Sequence, residues 1–264
     1  MLRGSMTQYF RRVRWEEKRI ENAQLFILRF PNPSLMVLTL LRISEFKECS
    51  VHAGTIFSNT RYRTWFRSGH NGYDYDDFVV GMNLPDANFT NFFEAFVQAR
   101  GRNRINRFER TFLAVLEERG LIQLQGNRAS VRQKFYVVVL NEFLIGNAAE
   151  DEEGQLAIEY ATLRHELSHA AYYLSTEYRE AVQKAWDGLD PQTRNNVMLF
   201  LAEKHYTRDV IVDEFGAYLM EPYDSHFPVD KEQYAEAVHR MTQLYSECVA
   251  NLLPEAGRIP YDAK

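Results

Sequence analysis

His165 and His169 are four residues apart, and Glu166 follows the first of them, which gives the pattern His-Glu-x-x-His. Residues four apart on an α-helix lie one above the other, so both imidazoles can reach one metal ion. Glu166 then projects beside the ion, where its carboxylate can hold a metal-bound water and take its proton. Imidazole nitrogen suits Zn²⁺, and a catalytic zinc keeps one coordination position open. The spacing therefore predicts a catalytic site with one Zn²⁺ per chain.

Two histidines need a third ligand, and the best candidate is Glu214 in a predicted helix that contains Gly216 and Ala217. These two small residues would let the helix approach the histidine helix closely. Asp213 lies about 100° round the helix from Glu214, so only one of the two can point at the ion. We expect Glu214 to be the ligand, with Asp213 as the alternative, and the other acid to accept a hydrogen bond from a ligand histidine. The remaining alternatives are His205, His226 and His239.

The two motifs together resemble the zincin metallopeptidases, specifically the gluzincin type, over about residues 150–225. The resemblance implies a zinc-dependent metalloendopeptidase, with His165, His169 and Glu214 as ligands and Glu166 as the general base. It also implies an upstream sheet that packs on the histidine helix and whose edge strand binds extended peptide. Phe135 to Leu140 is the candidate strand near the site.

The sequence departs from the gluzincin pattern on the second helix. The familiar segment reads Asn-Glu-x-x-x-Asp, whereas here Asp213 precedes Glu214 and Tyr218 stands where the second acid would be. The resemblance also implies a Tyr or His that donates to the oxyanion of the scissile carbonyl. The candidates for this catalytic role are Tyr218 and, in the loop from 221 to 228, Tyr223 and His226.

The second half of the chain is predicted to be helical from about Gly154 onward. The acidic run 150–153 favours a helix N-terminus, where negative charge is stabilised. Asp190-Pro191 separates two of the helices, because the residue before a proline disfavours helical backbone. The predicted helices lie near 155–175, 177–187, 192–206, 209–221 and 231–251.

The first half is predicted to mix α and β structure. Helical spacing of apolar residues predicts helices over 89–99 and 108–119. Apolar and β-branched runs predict strands over 24–30, 35–43 and 49–57, with a weaker one over 61–66. Strands over 121–125 and 135–140 are predicted on either side of a polar turn at Gly126-Asn127.

The predicted fold class is α+β. An N-terminal sheet and helix part packs on a C-terminal helical part that carries the His-Glu-x-x-His helix, as in zincins. We expect residues 1–20 to be a flexible N-terminal segment and 21–264 to be one catalytic unit. Within this unit, 21–150 is the α+β subdomain and 151–264 is the helical subdomain with the metal site.

Composition excludes several classes of protein. The 264 residues are 45% hydrophobic and 25% charged, which excludes global disorder. The apolar runs are shorter than the ~20 residues of a membrane span, and no signal-peptide pattern is visible. Cys49 and Cys248 cannot form a disulfide framework. These features predict a cytoplasmic protein, with secretion by a route that needs no signal peptide as the alternative.

The expected partner is a protein or peptide substrate. A net charge of −5 argues against general nucleic-acid binding, although five arginines crowd into residues 100–110. Two other hypotheses about function stay open. One is a zinc-binding interaction module without turnover, and the other is a peptidase similar to the SprT-like zincins, which act on protein attached to DNA. The sequence does not indicate an oligomeric state.

Overall fold

The computed structural model describes residues 10, 12–20, 22–99, 105–148, 151–221 and 226–249. The protein is 61% helix and 16% strand, so the predicted α+β class is confirmed. The chain divides into two compact units at the boundary between residues 148 and 149. None of the described helices is both long and apolar enough to cross a membrane.

The N-terminal unit is built on a four-stranded sheet. The described strands of this unit, in chain order, are β1 (Arg14–Ile20), β2 (Ala23–Phe30), β3 (Gly81–Pro85), β4 (Ile122–Gln125), β5 (Arg128–Val131) and β6 (Phe135–Asn141). The sheet order is β1-β2-β6-β3, with β2 and β6 parallel and the outer pairs antiparallel. β4 and β5 form a separate hairpin around Gly126, whose φ of 59° suits a glycine.

The two strands predicted on either side of Gly126-Asn127 lie in different sheets. The strand over 121–125 pairs with β5 across the turn, not with the strand over 135–140. β6 itself is fully buried and bonded on both sides, to β2 and to β3. It therefore has no open edge to which an extended peptide could add, and the edge strands among the described strands of this sheet are β1 and β3.

Five described helices belong to this unit: α1 (Pro33–Glu48), α2 (Asn59–Gly69), α3 (Asp86–Gln98), α4 (Arg107–Glu118) and α5 (Glu142–Ala148). The predicted strands over 35–43 and 61–66 are wrong, because these residues lie in α1 and α2. The predicted strand over 49–57 is also wrong, because residues 50–54 form turns. Asn32 caps α1 by accepting a hydrogen bond from the Leu35 N–H at 2.9 Å, and Pro33 occupies its first turn. α1 is buried on several faces, so its apolar residues do not show helical periodicity.

The C-terminal unit consists of the predicted helices. They are α6 (Glu152–Leu174), α7 (Thr176–Asp187), α8 (Pro191–Glu203), α9 (Ile211–Met220) and α10 (Ala235–Val249). Asp151 caps α6 by accepting from the Gly154 N–H at 2.8 Å. Ser175 ends α6 and caps α7, so the chain turns between them without a loop. Capping residues thus fix where the long histidine helix begins and ends.

Ionisable side chains are buried in the N-terminal unit beneath α1. The Arg42 guanidinium pairs with Glu109 at 2.7 Å, and both side chains are almost fully buried. One turn further along α1, Glu45 accepts a hydrogen bond from the Tyr75 hydroxyl at 2.8 Å. Burial raises the pKa of Glu45 from 4.5 to about 7, although hydrogen bonds with Tyr75 and Tyr62 act in the opposite direction. The fold therefore favours the neutral form of Glu45.

This burial predicts a pH-dependent stability. The contribution of neutral Glu45 is complete below the unfolded-state pKa near 4.5 and is lost as the pH rises through the folded-state pKa near 7. The two pKa values correspond to about 3 kcal/mol of unfolding free energy. We expect Glu45→Gln to be more stable than wild type at pH 8 but not at pH 5 in urea unfolding. Exposed Glu118→Gln is the control, and a wild-type pH dependence in Glu45→Gln would contradict the assignment.

Candidate metal centre

The two histidines of α6 bring their ring nitrogens together at one point. His165 and His169 lie on successive turns of the helix, and their Nε2 atoms are 3.2 Å apart. The side chain of His169 is 1% exposed and that of His165 is 13% exposed. The predicted i, i+4 geometry is therefore present, with both Nε2 atoms facing the same small space.

Glu214 of α9 completes this group. Its Oε1 lies 3.7 Å from His169 Nε2, and its Oε2 lies 3.9 Å from His165 Nε2. All three ligand atoms lie within 4.8 Å of one another. Ligands bound to zinc at 2.0–2.1 Å in a tetrahedron are about 3.3 Å apart, so the group needs only small shifts to hold one ion. Glu214 Oε2 is buried without a hydrogen-bond partner among the described residues, as a vacant ligand atom would be.

Each histidine also meets a carboxylate on its other ring nitrogen. His169 Nδ1 lies 2.9 Å from Asp213 Oδ1 in a hydrogen bond. His165 Nδ1 lies 2.6 Å from Glu221 Oε1, at ion-pair distance but out of line with the ring N–H. A carboxylate at Nδ1 favours the proton on that nitrogen and leaves the Nε2 lone pair for a metal. Of the two acids considered from sequence, Glu214 thus joins the group and Asp213 holds a histidine.

The electrostatics of the group are those of a buried, carboxylate-rich site. Burial raises the pKa of Glu214 to about 8; His165 opposes this rise, and the nearby Asp213 and Glu166 add to it. Burial alone would lower the pKa of His165, but contact with Glu221 and the charge of Glu166 outweigh it, so the pKa is raised. Glu166 is 7% exposed. Its charge raises the pKa of both His165 and Glu214.

Aromatic rings pack against α9 on more than one face. The Tyr218 ring meets the His165 ring edge-on, with centroids 5.0 Å apart. Its other side stacks on Phe227 at 5.4 Å, while Phe215 packs against Trp186 of α7. Apolar contacts thereby hold Tyr218 against His165. Among the candidates for the oxyanion donor, Tyr218 is one that contacts a residue of the site.

A helix C-terminus presents a further phenol to the site. His205 has a left-handed backbone conformation, with a φ of 65°. Its N–H donates a hydrogen bond to the Ala202 carbonyl, and the Tyr206 N–H donates to the Leu201 carbonyl. This pattern is a Schellman motif, which ends α8 and redirects the chain. Tyr206 then makes a hydrogen bond with Glu214 that acts to lower the pKa of the carboxyl group. His205 is thus a cap residue, not a member of the ligand group.

The other residues predicted from the sequence either do not join this group or lie outside the described part of the chain. Tyr223 lies outside the described residues. His226 and His239 are exposed, and neither joins the ligand group. Gly216 does allow a close helix approach, but to α7 and not to α6: a Cβ built on it would lie 2.8 Å from Val182 Cγ1.

Sequence reasoning missed two contacts of the site. Glu221 follows Glu214 by seven residues, which is two helical turns, so counting the helix one turn further would have found it. Tyr206 has no such signal, because the left-handed residue before it determines its direction.

No family model matches the chain, and no curated protein or solved structure is significantly similar to it. The functional argument therefore rests on the geometry of the site.

The geometry predicts a ranking of zinc affinities. His165→Ala and His169→Ala should abolish stoichiometric zinc in metal analysis, because each removes one of three ligand atoms. Glu214→Ala should lower zinc affinity far more than Asp213→Ala in a chelator competition, because Asp213 contacts only a ring nitrogen that faces away from the group. Full zinc retention in both histidine variants, or the reverse order of the two acids, would show that the ligands are misassigned.

The contact at Gly216 predicts a coupling between α9 and α7. Gly216→Ala adds a methyl group against the fully buried Val182. Overpacking of this kind costs about 1–3 kcal/mol, against a helix-propensity gain of about 1 kcal/mol. We expect Gly216→Ala to destabilise the wild type but to be neutral or stabilising in a Val182→Ala background, where the clashing atoms are gone. Urea unfolding of the four proteins measures this coupling, and additive effects would contradict it.

Proposed function

We propose that this protein is a zinc-dependent metalloendopeptidase that hydrolyses peptide bonds in protein substrates. One observation carries the proposal: His165, His169 and Glu214 bring three ligand atoms within 4.8 Å, and Glu166, the residue after His165, is buried. The chemistry of the donors supports zinc, since two imidazole nitrogens and one carboxylate are a set found in catalytic zinc sites. Two further carboxylates at the Nδ1 atoms support it as well.

The number of ligands favours catalysis over a purely structural role. Structural zinc sites are closed by four protein ligands, whereas catalytic sites have three and leave a position for water or substrate. Among the described residues, three side chains form the group. This count is the specific observation that ranks the peptidase above a zinc-binding interaction module without turnover.

Residues of the chain divide the chemistry among them. When bound, zinc would polarise the scissile carbonyl and lower the pKa of an attacking water. Glu166 accepts the proton of that water and later delivers it to the leaving amine, as a general base and then a general acid. Asp213 and Glu221 hold the two imidazole rings. Tyr218, Tyr223 and His226 remain the candidates for donation to the oxyanion.

Action on nucleoprotein has weaker support. Of the arginine-rich run 100–110, the structure describes Arg107 and Arg110 at the start of α4, and the guanidinium of Arg107 lies over the Phe108 ring at 4.6 Å. Nothing in that contact favours a nucleic acid. The nucleoprotein hypothesis would need DNA binding that weakens steeply with salt.

The role of Glu166 separates an enzyme from a binding module. Glu166→Gln should keep zinc and the fold, because Glu166 is not one of the three ligands. It should lose about 10²–10⁴-fold in kcat/KM, because an amide cannot accept the proton. The assay is cleavage of unfolded protein substrates by wild type and variant at equal zinc occupancy.

The matched control is Glu153→Gln, an exposed glutamate in the first turn of the same helix, which should keep wild-type activity. Equal activity of Glu166→Gln and wild type would exclude the proposed mechanism. Loss of zinc in Glu166→Gln would mean that Glu166 is itself a ligand.

A further inference from the structure

Glu221 lies where α9 ends, two turns beyond Glu214. Seven residues bring a side chain back to within about 20° of the same helix face, so Glu214 and Glu221 point to the same side. The two acids meet the same imidazole on different nitrogens: Glu214 Oε2 is 3.9 Å from His165 Nε2, and Glu221 Oε1 is 2.6 Å from His165 Nδ1. The imidazole ring thus lies between two carboxyl groups that are two turns apart on one helix.

The backbone at Glu221 is itself fixed. Lys231 Nζ donates to the carbonyl oxygen of Glu221 and, at 3.4 Å, to that of Tyr218. Both carbonyls belong to the C-terminal end of α9, where an ammonium group is favoured by the helix dipole. Lys231 therefore fixes the backbone of Glu221, from which the side chain extends to His165.

We infer that Glu221 is a positioning residue that sets the proton on His165 Nδ1 and directs Nε2 at the ligand group, with Lys231 anchoring its backbone. The inference rests on the proposed function in that the ion to be held is zinc. Tyr218, which lies on α9 between Glu214 and Glu221, meets the same imidazole edge-on, with ring centroids 5.0 Å apart, and brings no charge to His165. Asp213 contacts Nδ1 of His169 from the other end of α9.

The inference predicts a loss of zinc affinity without a loss of fold. Removing an outer carboxylate from a metal-ligating histidine costs about 10–100-fold in metal affinity. We expect Glu221→Gln to lose about that much in a chelator competition with zinc, with thermal unfolding of the metal-free protein unchanged. Lys231→Met should lower the affinity in the same direction. Glu236→Gln on α10, an exposed glutamate outside the ligand group, is the matched control and should bind zinc as wild type does.

A second readout follows the histidine itself without any metal. Nitrogen–proton correlation NMR of the metal-free full-length chain reports which ring nitrogen of His165 carries the proton. We expect Nδ1–H in wild type and in Glu236→Gln, and a shift toward Nε2–H in Glu221→Gln. A merely structural contact would not change this ratio.

The outcomes of the two measurements are distinct. Zinc affinity of Glu221→Gln within about twofold of wild type, or an unchanged His165 tautomer, overturns the inference while leaving the proposed function standing. If wild type itself binds no stoichiometric zinc, the proposed function fails, and the tautomer of His165 alone then decides the role of Glu221.

Discussion

The burial of a carboxyl group between α6 and α9 is the constraint on which the C-terminal unit depends. Glu214 is 2% exposed, and burial raises its pKa to about 8. Removing a carboxylate from water costs several kcal/mol unless a partner compensates for it. The Nε2 atoms of His165 and His169 lie 3.7–3.9 Å away, too far for hydrogen bonds with this carboxylate. The hydrogen bond with Tyr206 offsets part of this cost, and a divalent cation bound among the three atoms would offset more of it.

The period of one helix distributes the roles of the acids. Adjacent residues differ by about 100° on a helix, so Asp213 and Glu214 reach different atoms: Nδ1 of His169 and the ligand space. Seven residues restore nearly the same direction, so Glu221 reaches the side of α9 that faces His165. The same period on α6 stacks the two imidazoles. Two helices with matching periods thus suffice to bring together the three candidate ligands and the carboxylates behind the two histidines.

The sequence predicts the site better than it predicts the N-terminal unit, and the reason is physical. Spacing on a helix is rigid, so the His165–His169 pair follows from counting residues. Glu214 is predicted because Gly216 and Ala217 follow it, although Gly216 itself meets Val182 of α7. The acidic run 150–153 likewise predicts where α6 begins. In contrast, Leu35 to Ile43 is apolar on every face because α1 is buried on several sides. Its helix signals were Asn32 and Pro33, not its periodicity.

The contacts that could not be predicted are those that depend on a single backbone conformation or on a distant helix. Tyr206 faces Glu214 because His205 adopts a left-handed conformation. A sequence rarely predicts this conformation at a histidine. Gly216 admits Val182 of α7, not the histidine helix, because which neighbour a small residue meets depends on tertiary packing. Such contacts hold α9 on its other faces, by the methyl groups of Val182 and the ring of Trp186. A helix fixed on those faces holds its carboxylates within a narrow range of positions, as the proposed metal site and proton transfer would require.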